Sequence, residues 1–263
     1  MIFSADLDRT LIFSPRRLDP LGPATIPVER RQGAPCGFMT PEARRALMAL
    51  SARATFFLNT LRGLEQANRV DFVSEGRCRY LALQNGLSLY RDGVEDRDWA
   101  AYVKRTVSAL PLDLTGGIER VLRHLPGIEC LSKRYQYLAV FFVEEALFDG
   151  GACDMLAGEL AGLGWALCRQ RKKLYLSPQP IHKGAVLARV REREDGAEAV
   201  GFGDSGFDLP MLRACRTAWS LRDCDLWGRD WGFPIQYSSA PAQAGTQEVL
   251  QRILSNLGDQ KLC

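Results

Sequence analysis

The chain has 263 residues, 46% of them hydrophobic, which is enough for a sizeable packed core in one large domain or two modest ones. Its 34 basic and 31 acidic residues leave a net charge of +3, too balanced to argue for nucleic acid or a membrane surface as partner. The eight cysteines (36, 78, 130, 153, 168, 215, 224, 263) form no Cys-x-x-Cys pair, and there are only two histidines. That argues against a zinc site and reads as small core residues in a reducing compartment.

In chain order, residues 2–6 (IFSAD) read as a strand that ends on an acid. A strand beginning at residue 2 leaves no room for a signal peptide, and no apolar run approaches the roughly 18–20 residues of a membrane span. A cytoplasmic protein is therefore expected. Residues 14–40 are rich in Pro, Gly and Arg without periodicity, and predict an irregular excursion. Thr40, Pro41 and Glu42 are an N-cap, a first-turn proline and a first-turn acid. They open a helix whose Ala43, Ala46, Leu47 and Leu50 share a face. ATFFLNT (54–60) has the pattern of a strand buried on both sides. A helix (62–69) and a strand (80–84) continue a β-α-β-α-β rhythm. The middle changes to helices at 99–110 and 117–124, strands at 128–132 and 136–143, a helix at 151–163 and strands at 165–170 and 173–177. That is the α-β-β-α-β-β order of a small α+β unit. The α/β rhythm returns with a helix at 183–193, a strand at 199–203, a helix at 207–214, short strands at 217–220 and 235–237 and a last helix at 246–257. The predicted class is α/β, with a parallel sheet split between 1–90 and 178–263 and an inserted α+β domain at 91–177.

Four pieces fall where a parallel strand ends or a helix begins: Asp6-x-Asp8-x-Thr10, Thr60, Lys183, and Asp204 with Asp208 in GDSGFD. The carboxyl ends of parallel strands share one edge, where ligands bind, so these pieces are predicted to converge. Four carboxylates crowded together need a cation, and Mg²⁺ is the usual hard ion beside phosphate. A lysine and a threonine hydroxyl suit phosphate oxygens, and an aspartate can serve as nucleophile. Taken singly, each piece has a plainer reading: a solvated turn, a strand-end hydroxyl, a surface lysine. Their joint order makes the plain readings improbable.

In that order the residues resemble the haloacid dehalogenase (HAD) superfamily of phosphatases, whose motifs are Asp-x-Asp-x-Thr, a strand-end Ser or Thr, a Lys, and Gly-Asp-x-x-x-Asp. LNTLRG (58–63) is similar to the family's Thr-Gly-Arg stretch, LALQNG (81–86) to its strand ending in Asn-Gly, and HKGAVL (182–187) to its Lys-Gly segment. Arg9 stands where glycine is frequent, and Phe207 where Asn often precedes the last acid. The position and element order of the insert look like the C2 cap of type IIB, the subgroup of Cof-type and sucrose-phosphate phosphatases. The resemblance implies a Rossmann-like core with a C2-type cap that closes over the site and selects a small phosphate ester, such as a sugar phosphate. It implies Asp6 as nucleophile, Asp8 as acid and base, and Mg²⁺ held by Asp6, Asp204 and the Asp8 backbone carbonyl, with Asp208 holding metal-bound water or binding directly. Thr60, Leu61, Arg62 and Lys183 would bind the phosphoryl group. Arg62 by itself suits a phosphate contact or a solvated helix face equally. His182, the basic cluster Arg169, Arg171, Lys172 and Lys173, and Trp227 with Trp231 read as surface or packing residues. The competing functions are a phosphomutase of the same superfamily and a non-catalytic ligand-binding module that keeps the fold.

Overall fold

The computed structural model describes residues 1–259. Cys263 lies outside the described residues. The first stretch contains β1 (Ile2–Ala5), a 3-10 turn (Pro15–Arg17), β2 (Ile26–Arg31), β3 (Ala34–Met39), α1 (Pro41–Ser51), β4 (Thr55–Asn59), α2 (Leu64–Ala67), α3 (Asp71–Ser74), β5 (Tyr80–Leu83), β6 (Ser88–Arg91) and β7 (Val94–Glu95). The middle stretch contains α4 (Arg97–Ser108), α5 (Leu114–His124), β8 (Ile128–Arg134), β9 (Ala139–Val143), α6 (Gly150–Gly162), β10 (Trp165–Gln170) and β11 (Lys173–Pro178). The last stretch contains α7 (Lys183–Arg193), β12 (Ala199–Phe202), a 3-10 turn (Gly206–Asp208), α8 (Leu209–Arg213), β13 (Thr217–Arg222), β14 (Gln236–Pro241) and α9 (Ala242–Asp259). The chain divides into two compact units. Met1–Asp96 joins the chain from Lys183 onward, and Arg97–His182 forms the other.

The first unit is built on one sheet, in the order β14-β13-β12-β1-β4-β5-β6-β7. It is parallel from β14 through β5 and antiparallel for its last two strands. β1 is central and wholly buried, which explains its unbroken apolar character. Successive residues of a strand point to opposite faces, and β1 shows it. Phe3 stacks on Phe56, with ring centroids 5.7 Å apart, in the cluster that includes Ala43, Leu47 and Leu50 of α1 and Val249 of α9. Ser4 turns the other way and donates its hydroxyl to Met211 Sδ of α8. The α1 cap is made as the sequence predicts, with Thr40 Oγ1 accepting from the Ala43 N–H at 3.0 Å. The second unit is an antiparallel sheet ordered β10-β11-β9-β8, with α6 packed against β10 and α5 against α6.

Several expectations change. The 14–40 segment is irregular only in part: residues 18–25 carry no helix or strand, but β2 and β3 pair as a hairpin. Its turn residues Gln32 and Gly33 have φ of +51° and +79°, the double positive φ of a tight hairpin turn. Two register irregularities interrupt the pairing, near Glu29, so the hydrophobic alternation that marks a strand is broken. The helix expected over 62–69 is shortened to α2, and a second short helix, α3, follows beyond it. β6 and β7 extend the sheet where no strand was expected, and α9 begins at Ala242, before the expected residue 246. The seven described cysteines are all free, but only Cys78 and Cys153 are buried and Cys130 is exposed, so they are not uniformly core residues. Among the described residues no helix is long and apolar enough to cross a membrane.

Candidate active site

Three neighbouring parallel strands deliver the site. β1 lies between β12 and β4, with Ala5 opposite Phe202 on one side and Leu58 on the other. Asp6 follows β1, Gly203-Asp204 follows β12, and Thr60 follows β4, so all three emerge at the same sheet edge. The Asp6 N–H donates to the Phe202 carbonyl, which ties the first acid to the last strand before Asp204. Lys183 is the first residue of α7 and is fully buried. Its carbonyl accepts from Asn59 Nδ2 at 3.0 Å, so the end of β4 fixes the start of the helix. Gly184 lets this turn approach α8: a Cβ there would fall 2.5 Å from the Pro210 carbonyl oxygen.

The side chains of Asp6, Lys183, Asp204 and Asp208 come together here. Lys183 Nζ lies 2.5 Å from Asp6 Oδ1 and 2.6 Å from Asp208 Oδ1. The other Asp208 oxygen accepts from the Asp204 N–H, the Ser205 N–H and Ser205 Oγ at 3.0–3.1 Å. Asp208 thus fixes both the loop that carries Asp204 and the ammonium that faces Asp6. Gly203 is required by this fold-back, because a Cβ would sit 2.5 Å from Asp208 Cβ. Ser220 Oγ donates to the Gly203 carbonyl at 2.6 Å and anchors the loop from β13. Thr10 Oγ1 donates to Asp6 Oδ2 at 3.3 Å. Asp6, Asp204 and Asp208 are all buried, and an oxygen from each lies within 4.8 Å of the others.

Such crowding has electrostatic consequences. Burial raises the Asp6 carboxyl from its ordinary 3.8 to about 6, with Lys183 opposing the rise and Asp208 adding to it. Burial, then the facing Asp6 charge, pushes Asp204 well above the ordinary range, with Arg9 opposing. Burial works against the Lys183 ammonium, but Asp208 and Asp6 outweigh it and hold its pKa above the usual lysine value. Three buried carboxylates that repel one another, all hard oxygen donors, fit a small divalent cation such as Mg²⁺.

Two of the expected residues are placed differently. The Asp8 side chain does not join the buried trio. It is 54% exposed, and both its oxygens accept from Arg62: Nε to Oδ2 at 2.8 Å and Nη2 to Oδ1 at 2.7 Å. Arg62 is therefore neither a simple solvated-face residue nor a free phosphate donor here. Its other edge reaches Glu29 of β2, at 2.7 and 3.0 Å, and the Gln66 carbonyl. Thr60 is buried at the strand end, and its hydroxyl accepts the Arg62 N–H at 3.2 Å, while Leu61 is half-buried beside it. Sequence reasoning missed Glu29, which nothing in a Pro- and Arg-rich segment distinguishes from a surface acid. It also missed the Arg9 contact with Asp204, 2.8 Å, and with Asp225, 3.1 Å. An arginine in the glycine position of the first motif was the available signal.

The Glu29–Arg62 pair makes a stability prediction. Glu29 is 6% exposed, so removing its guanidinium strands a buried charge. Arg62→Met is expected to lower stability to urea by about 3 kcal/mol. The double variant Arg62→Met/Glu29→Gln should recover most of that loss. A double-variant loss equal to the sum of the Arg62→Met and Glu29→Gln losses would show that the pair is not coupled.

No protein-family model matches the sequence, and no curated protein matches it. Solved structures do match. The sucrose-phosphatase of Synechocystis sp. PCC6803, solved with sucrose and phosphate, superposes with a TM-score of 0.66 at 14% identity, over 96% of this chain and 97% of that one. The chain has the haloacid dehalogenase fold. The C-terminal domain of C. albicans trehalose-6-phosphate phosphatase shares the haloacid dehalogenase fold with it at a TM-score of 0.57 and 13% identity, over 97% and 92% of the two chains. The Aspergillus fumigatus trehalose-6-phosphate phosphatase does so at 0.56 and 12%, again over 97% and 92%.

Proposed function

We propose that this chain is a Mg²⁺-dependent phosphatase that hydrolyses a small phosphate monoester, such as a sugar phosphate, through an aspartyl-phosphate intermediate. One observation carries the reading: the Asp6 carboxylate, held by Lys183, shares a buried oxygen cluster with Asp204 and Asp208 at the edge of a haloacid dehalogenase fold. The sugar phosphatases that share this fold along nearly their whole length support the substrate class.

Asp6 and Asp204, with the Asp8 backbone carbonyl, would hold the ion. Asp208 keeps Asp204 and Lys183 in position. Bound there, Mg²⁺ supplies charge to neutralise the phosphoryl oxygens. An Asp6 oxygen attacks phosphorus as the bond to the leaving oxygen breaks, and Asp8 gives that oxygen a proton. Asp8 then takes a proton from the water that attacks phosphorus, which releases inorganic phosphate and regenerates Asp6. This requires Asp8 to leave the Arg62 fork, since both its oxygens are engaged there. Thr60 and Lys183 supply a hydroxyl and an ammonium to the transferring group, whose charge spreads over its equatorial oxygens.

The test is a panel of phosphorylated sugars and related metabolites assayed for inorganic phosphate, with Mg²⁺ and then with EDTA. Phosphate release that disappears with EDTA and returns with Mg²⁺ is expected. Phosphoryl return to a sugar only when a bisphosphate is added would replace hydrolase with phosphomutase. No turnover on any ester with Mg²⁺ present would favour a ligand-binding module.

A further inference from the structure

Arg9 occupies a backbone position suited to glycine. Its φ is +62°, a conformation that costs a residue with a Cβ on the order of 1 kcal/mol. The side chain turns back onto the acidic cluster. A single nitrogen, Nη2, lies 2.8 Å from Asp204 Oδ2 and 3.1 Å from Asp225 Oδ2. Asp204 is buried at 3% exposure and Asp225 is 39% exposed, so the same nitrogen joins an inner and an outer carboxylate. Lys183 serves Asp6 and Asp208, and Arg9 is the cation on the third acid of the trio.

We infer that Arg9 is a resident counter-cation of the acidic trio, one that competes with a divalent ion for Asp204 and withdraws onto Asp225 when the ion binds. The inference rests on the trio being the metal site. An ion that uses Asp204 must share or displace the guanidinium. Two positive charges at one carboxylate repel, so the resident charge weakens ion binding. Asp225 lessens that penalty by offering the displaced charge a second carboxylate on the same nitrogen. In exchange the buried acids have a partner in the metal-free chain, where an unpaired Asp204 would be costly. Arg9 thus trades ion affinity for a charge partner on the buried Asp204.

The experiment is calorimetric titration of the full chain with Mg²⁺ alone, for wild type, Arg9→Gly and Asp225→Asn, paired with melting curves in EDTA and in saturating Mg²⁺. Glycine suits the +62° turn, so Arg9→Gly retains the backbone. It is expected to bind Mg²⁺ about tenfold more tightly than wild type. It should also show a larger Mg²⁺-induced rise in melting temperature. Asp225→Asn removes the outer carboxylate charge and should bind Mg²⁺ more weakly than wild type. An Arg9→Gly affinity equal to or below wild type would overturn the competition while leaving the trio as a metal site. No binding and no Mg²⁺-dependent melting shift in wild type and both variants would overturn the metal site itself, and this inference with it.

Discussion

Asp6→Asn is expected to abolish phosphate release, with turnover falling on the order of 10⁴-fold or more, while the protein stays folded. The amide keeps the size of the side chain and an oxygen for Lys183, but it cannot attack phosphorus. Stability should move the other way from activity. The folded-state pKa of Asp6 lies near 6, above its ordinary 3.8, so the folded chain holds this proton more firmly than the unfolded one. That stability is present below 3.8 and is lost as pH rises through about 6. At pH 7 in EDTA, wild type therefore carries a buried charge that the variant lacks. Asp6→Asn should melt at or above the wild-type temperature there, and the gap should close as pH falls through the same window. Residual turnover near the wild-type rate would remove Asp6 from the nucleophile role.

Lys183→Met is expected to have the largest effect on folding. The side chains are of similar length, so packing is nearly conserved and the change is one of charge. Asp6 and Asp208 would then face each other, buried, without the ammonium that now lies 2.5 and 2.6 Å from them. Breaking such a buried network by removing one partner costs roughly 3–5 kcal/mol. Urea denaturation in EDTA should report a loss of that size, reduced at acid pH as the carboxylates take up protons, and turnover should be lost as well. A loss under 1 kcal/mol would mean that the Lys183 contacts are exchanged for water at little cost.

The sequence shows the site better than it shows the site's surroundings, for a physical reason. Asp6, Lys183, Asp204 and Asp208 stand at the ends of strongly apolar strands or at helix starts. Parallel-sheet geometry then fixes where they meet. IFSA and TFFLN are short apolar runs rich in aromatic residues, the pattern of strands buried in a parallel sheet. The hairpin at 26–39 was not legible, because Pro27, Pro35 and the arginines disguise it. Its pairing is set by two turn residues with positive φ and by distant contacts such as the Phe13–Phe38 bridge. The fork of Arg62 between Asp8 and Glu29 was equally hidden, since it joins one strand residue and two loop residues far apart in sequence through side-chain length alone. The α1 start was legible to the residue, because its cap is local chemistry within four positions.

The most direct measurement is to trap the phosphoryl group. Wild-type protein, turning over the best ester from the panel with Mg²⁺, would be quenched in acid, digested and analysed by mass spectrometry. One phosphoryl group on the amino-terminal peptide, at Asp6 and absent in Asp6→Asn, is the expected result. Phosphate release with every acyl phosphate absent, or with the group on Asp204 or Asp208, would contradict the account.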